Sequence, residues 1–171
     1  MTNTEDLRES FSAIANMVER ASGSLSFRPS GYLTSCLRLA TEGEAPVFAA
    51  TDLISTKEGH AVSGSLALFT ESLVAVAWLV DAVSARSHLA EHGRVIVGVT
   101  PRAALSGLRI EFDATSLNRA ASLEDYAELP WGSTIVASYE GASTPVRITT
   151  GKTRLDVEPF YSSLLADLRG R

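Results

Sequence analysis

The chain has 171 residues, 45% of them apolar, enough to bury the core of one domain or of one and a fraction. Twenty acidic residues against 15 basic give a net charge of −5, which argues against a general coating of nucleic acid or anionic lipid, and a single cysteine excludes an internal disulfide. The polar start MTNTEDLRES is unlike a signal peptide, and the apolar run at 73–80 is far short of the ~20 residues a membrane helix needs, so a cytoplasmic protein with no membrane partner is expected.

Residues 4–20 predict a helix. Leu7, Phe11, Ile14 and Val18 follow i, i+4, i+7, i+11 along one side, while Arg8, Glu9, Asn16, Glu19 and Arg20 mark the other. Thr2 with Glu5 resembles a capping box, and Gly23 offers a stop. After the loop SGSLSFRPSG, residues 31–40 read as strand or short helix. Leu33, Ser35, Leu37 and Leu39 alternate with Tyr32, Thr34, Cys36 and Arg38, which favours the strand, and the apolar context of Leu33 and Leu37 makes Cys36 a buried thiol by expectation. EGEAP breaks the pattern, and strands are predicted at 46–55 and 61–69 about a KEG turn.

Residues 70–92 are the ambiguous stretch. Leu73, Val76, Ala77 and Val80 keep helical spacing with Thr70 as N-cap, which predicts a helix over 70–81. From Val83 the pattern becomes period two, predicting a strand that turns at His92-Gly93 into a further strand, RVIVGV. A single helix over 70–92, ended by Gly93, stays open. Residues 106–114 predict another strand, and 115–131 an extended connector without periodicity. Residues 133–141 and 144–151 form a hairpin, and a terminal helix starts near Pro159 with Phe160, Leu164 and Leu168 on one face. The order α-βββ-α-βββ, connector, ββ-α predicts an α+β protein with helices on one side of antiparallel sheet.

His88, Glu91 and His92 match the H-x-x-E-H pattern in which two histidines on successive helical turns grip zinc and the glutamate activates water. Gly93 follows at once and the period-two pattern would point the two histidines awkwardly, so no metal site is expected from the match. Asp52 and Glu58 beside His60 read as a solvated charged turn. With no glycine-rich phosphate loop, G-x-S-x-G or Cys-x-x-Cys, no catalytic residue, cofactor or metal is expected, and the enzyme class is set aside.

Several short stretches fall in an order similar to the bacterial β-type sliding clamp, the processivity ring of DNA polymerase. Arg28-Pro29 sits in the loop after the first helix, Ala50-Thr51-Asp52 ends a strand, a second helix would occupy 71–80, and the acidic-aromatic LEDYAELPW lies at 123–131. Over residues 5–131 the chain thus resembles a repeated helix-plus-three-strand (βαβββ-like) clamp domain, with domain 1–130 and a partial repeat 131–171 packed on it. The resemblance implies a non-enzymatic, replication-associated protein that forms a homo-oligomer, with duplex DNA contacted without sequence specificity and polymerase or clamp-loader type proteins as partners. Arg28 would match a DNA-touching position, with Arg8 and Arg20 on the polar face of helix one. The second helix would show Val74, Trp78 and Leu79 on its outer side, an apolar patch that implies a protein interface. The alternative is a pleckstrin-homology-type module that binds a protein partner. Its seven strands closed by a C-terminal helix fit residues 46–169 if 73–83 is a strand.

Overall fold

The computed structural model describes residues 4–56, 61–85, 93–111, 133–149 and 154–170. The chain divides into two compact units, residues 1–101 and 102–171. The expected boundary at 130/131 lies outside the described residues, as do Thr2 of the capping box, the H-x-x-E-H stretch, Glu58, His60, the acidic-aromatic segment and the connector.

In the first unit, α1 (Thr4–Ala21) and α2 (Gly31–Ala40) precede four consecutive strands: β1 (Phe48–Thr56), β2 (Ala61–Phe69), β3 (Leu73–Val83) and β4 (Arg94–Pro101). The strands form one antiparallel sheet in sequence order. The predicted α1, β1, β2 and β4 are present. Ile14 and Val18 of α1 are fully buried and Leu7 and Phe11 partly so, and Thr51 of β1 donates to the last carbonyl of α1, at Ala21, over 2.9 Å.

Two elements differ from expectation. Residues 31–40 form a helix instead of a strand. Ser30 has an extended backbone and its hydroxyl accepts the Leu33 N–H at 3.2 Å, which caps the helix. Leu33, Thr34, Leu37 and Thr41 are buried, an i, i+1, i+4, i+8 stripe that strand alternation would have split. Gly43, with φ +79, ends the helix by donating to the Arg38 carbonyl at 2.9 Å.

Residues 73–83 form a strand where a helix over 70–81 is expected. The eight-residue apolar run arises because both faces of its covered part need apolar residues, which conceals the period of two. On one face Ala75, Ala77 and Leu79 join Leu66 and Leu68 beneath Ile14, Val18, Leu33 and Leu37. On the other, Val74, Val76 and Trp78 stand in register with Phe69, Ala67 and Ser65. Thr70 is therefore not a helix cap. Its N–H donates to the Leu73 carbonyl at 2.9 Å and its hydroxyl accepts the Leu73 N–H at 3.0 Å, closing a hairpin over Glu71-Ser72. Asp81, expected at a change of structure, sits at a β-bulge. Its φ is +51, its N–H donates to Ser63 Oγ, and its carboxylate accepts from Thr56 Oγ1. The repeated helix-plus-three-strand pattern is thus not found among the described residues.

In the second unit, β5 (Leu105–Glu111), β6 (Thr134–Tyr139) and β7 (Val146–Thr149) form an antiparallel sheet, and α3 (Arg154–Arg169) packs against β5. The predicted hairpin is present as β6–β7. The final helix starts earlier than expected, so Pro159 lies inside it. Phe160 and Leu164 are buried as the helical spacing requires, and Ile110, Ile135 and Ile148 align across the sheet. Both units are α+β, and in the first the helices cover one face of the sheet.

Candidate functional site

The first unit's sheet has two faces of different character. The helix-side face is closed by α1 and α2. The far face changes along its length, with Ala50, Ala67, Phe69, Val74 and Val76 buried at one end. Towards the other end, Ile54, Val80 and Ile96 are exposed around a half-buried Trp78. Trp78 opposes Ile96 on β4 and Ser65 on β2, and Ser65 in turn opposes Asp52 on β1. Its indole lies over Gly98, where an added Cβ would come to 3.2 Å from the ring, so this glycine lets the ring lie flat against the sheet. Ser63 and Ser65 of β2 lie between Ile54 and the strand of Trp78 and Val80, with Asp52 and Arg94 at the margins. An aromatic anchor among exposed aliphatic side chains with polar margins has the make-up of a protein contact surface.

The three expected interface residues do not share one surface. Val74 and Trp78 lie on the far face, Val74 fully buried, whereas Leu79 points into the helix-side core. The error follows from the period: 74, 78 and 79 neighbour one another on a helix, but 78 and 79 take opposite faces of a strand.

The three expected DNA-binding arginines are also separated in role. Arg8 and Arg20 are exposed on α1, twelve residues or ~18 Å apart along the axis. Arg28 is tied down instead. Its Nη1 donates to Glu19 Oε2 at 2.7 Å and to Asn16 Oδ1 at 3.1 Å. Its backbone N–H donates to Ser84 Oγ at 3.2 Å, and its carbonyl accepts the Ala85 N–H at 2.9 Å. The Arg-Pro loop thus fastens the corner between α1 and α2 to the end of β3. Helix α1 carries Glu5, Asp6, Glu9 and Glu19 against Arg8 and Arg20, four acids to two bases, a poor surface for phosphate.

Other polar clusters hold the fold. Glu44 accepts hydrogen bonds from Thr70 Oγ1 and Ser72 Oγ, each at 2.5 Å, and from the Ser72 N–H at 3.3 Å, stapling the loop after α2 to the β2–β3 turn. The Ser72 hydroxyl, followed by that of Thr70, holds the Glu44 carboxyl below its ordinary pKa. In the second unit the buried Arg102 donates to Asp167 Oδ2 from Nε at 2.9 Å and to Ser163 Oγ at 2.6 Å, with its guanidinium 5.8 Å from the Phe160 ring centroid. That ion pair binds the turn before β5 to α3. Tyr139 is buried with no hydrogen-bond partner for its hydroxyl among the described residues, and burial pushes its phenol pKa up. On the outer side of β5 and β7, Glu111 accepts from Arg109 and Arg147 at 2.7 and 2.8 Å, and these two hydrogen bonds lower its pKa.

Among the described residues no cluster of three or more His, Cys, Asp or Glu is arranged to hold a metal ion, and no helix is long and apolar enough to cross a membrane. Cys36 is half-buried on α2 as a free thiol. No family model, curated protein or solved structure matches the chain.

The sequence reading singled out Trp78 as a side chain in need of cover. It missed Ile96, which opposes Trp78 only once β3 and β4 are paired, and Ile54, which shares the far face across β2. Val80 was assigned to the inward stripe of a helix, and the strand reverses that assignment.

Proposed function

We propose that the chain is a non-enzymatic interaction module of pleckstrin-homology type that binds a protein partner through the far face of its first sheet. The observation that carries this reading is the exposed Val80 and Ile96 beside the half-buried Trp78, with the exposed Ile54 across the serines of β2 on the same face. The element order supports the module type. With 73–83 a strand, the described residues supply four strands, three strands and a closing helix, the count that the alternative reading of the sequence requires. The sliding-clamp reading has less support, because the helix it needs at 71–80 is a strand and α1 is net acidic. The partner contact is apolar at its centre, with Trp78 as the anchor.

A photo-crosslinking residue placed at Val80 tests the reading in cells that produce the protein. The expected result is a discrete adduct with another protein, lost when Ile54→Lys is added while the melting temperature is unchanged. Failure to form any adduct from position 80, or an adduct indifferent to Ile54→Lys, would overturn it.

A further inference from the structure

The edge of the first sheet carries a second apolar surface, which shares only Ile96 with the Trp78 patch. Strand β4 pairs with β3 on one side, and its other side has no strand against it among the described residues. Protected edges usually carry a lysine, an interior proline or a bulge that discourages further pairing. Strand β4, RVIVGVTP, has none of these. Its one charge is Arg94 at the start, its proline is the last residue, and its register with β3 is uninterrupted.

Helix α2 lies above the same edge, packing on β4 and β3, while α1 packs on β1 and on the inner side of α2. Its buried residues Leu33, Thr34 and Leu37 face that core, and Tyr32 and Leu39 project from the opposite side, 71% and 72% exposed. Val99 of β4, on the helix-side face of the sheet, is 54% exposed. Among the described residues, an unpaired strand edge thus lies beneath a helix whose outer side is apolar. Neither α2 nor β4 contains an acidic residue, although the chain as a whole is net acidic.

We infer that β4 pairs antiparallel with β4 of a second copy of this chain, joining two four-stranded sheets into one of eight about a two-fold axis normal to the sheet at Val97. The sequence of β4 is complementary to itself about that point. Val97 meets its own copy, Val95 meets Val99, and Ile96 meets Gly98, so each large side chain on the far face is set against a residue with none. The two Arg94 residues fall at opposite ends of the paired strands, ~20 Å apart at the usual strand rise, and do not repel. The axis places both α2 helices on the same side of the joined sheet and sets the exposed Val99 of each copy against Val95 of the other. One symmetry operation thus pairs the strand edge with itself and covers the exposed Val99, as an isologous contact requires. A one-residue shift of the centre to Gly98 would oppose Ile96 to Thr100 and lose the large-to-small match.

Sedimentation of the full chain tests this directly. The expected mass is twice 18.2 kDa, falling to 18.2 kDa for Val99→Lys and for Val99→Glu, with circular dichroism and melting temperature retained. Both substitutions are at an exposed position outside the Trp78 patch, so failure here leaves the partner-binding reading standing. A second variant fixes the register. In a Cys36→Ser background, Val97→Cys places two thiols directly opposite one another, within disulfide reach whichever kind of antiparallel pair they occupy. Mild oxidation should give a covalent dimer for Val97→Cys and none for Ile54→Cys. A monomeric mass at every concentration, as expected if other residues of the same chain cover the edge, would overturn the inference. So would a dimer that survives both charge substitutions and fails to cross-link at position 97.

Discussion

The two faces of the first sheet are built from the same four strands and meet different ends. On the helix side, small residues on β3 (Ala75 and Ala77) let α1 and α2 come close, and Leu33, Leu37, Leu66 and Leu68 fill the space between layers. On the far side, large residues on β3 run past the buried end, and Val80, with Trp78 beside it, stands out against Ile96. A face that is closed by its own chain serves stability. On the far face, a side chain such as Val80 contributes little to folding while it stays wet, which is why the proposed contact is placed there.

Substitutions sharpen that contrast. The largest effect is expected from Leu37→Ala on α2. It removes a fully buried side chain from the closed layer and should lower stability by about 2–5 kcal/mol in denaturant titrations. Next comes Ser30→Ala, which deletes the hydroxyl that accepts the Leu33 N–H and should cost ~1 kcal/mol. A smaller, pH-dependent effect belongs to Glu44. Its folded carboxyl has a pKa below the ordinary 4.5, so its staple is fully present above 4.5 and is lost as pH falls through the lower folded value. Melting temperature should therefore drop on acidification below 4.5, and Glu44→Gln should flatten that part of the profile. The smallest stability effect is expected for Val80→Lys, within about 0.5 kcal/mol of the parent chain. Val80→Lys as damaging as Leu37→Ala would erase the distinction between the faces.

Much of the fold was legible where one side of an element is wet. Helix α1 showed its stripe, β1, β2 and β4 lay between clear breaks, and the β6–β7 hairpin was bounded by turn residues. The two misread segments fail for opposite physical reasons. In α2 the buried stripe includes Thr34 and Thr41 while Leu39 stands exposed, so apolarity does not follow burial and the leucines suggest a strand. Their true signal was the Ser30 cap after Pro29, with Glu42-Gly43 to turn the chain afterwards. In β3 both faces are apolar over most of the length, and valine and alanine fit either a helix or a strand. The turn chemistry at Thr70–Leu73 decides between them, and it depends on Glu44, 26 residues away from Thr70. The candidate surface was legible only through Trp78, since its other members come from β1 and β4, and strand register cannot be read from one strand alone.

The most direct measurement is the rate of thiol labelling along β3 in a Cys36→Ser background, comparing Ala77→Cys with Val80→Cys. An exposed far-face residue beside Trp78 and a sealed helix-side residue three positions earlier predict fast labelling at 80 and labelling at 77 only at the rate of global unfolding. Equal protection at the two positions, or an accessible position 77, would contradict the account.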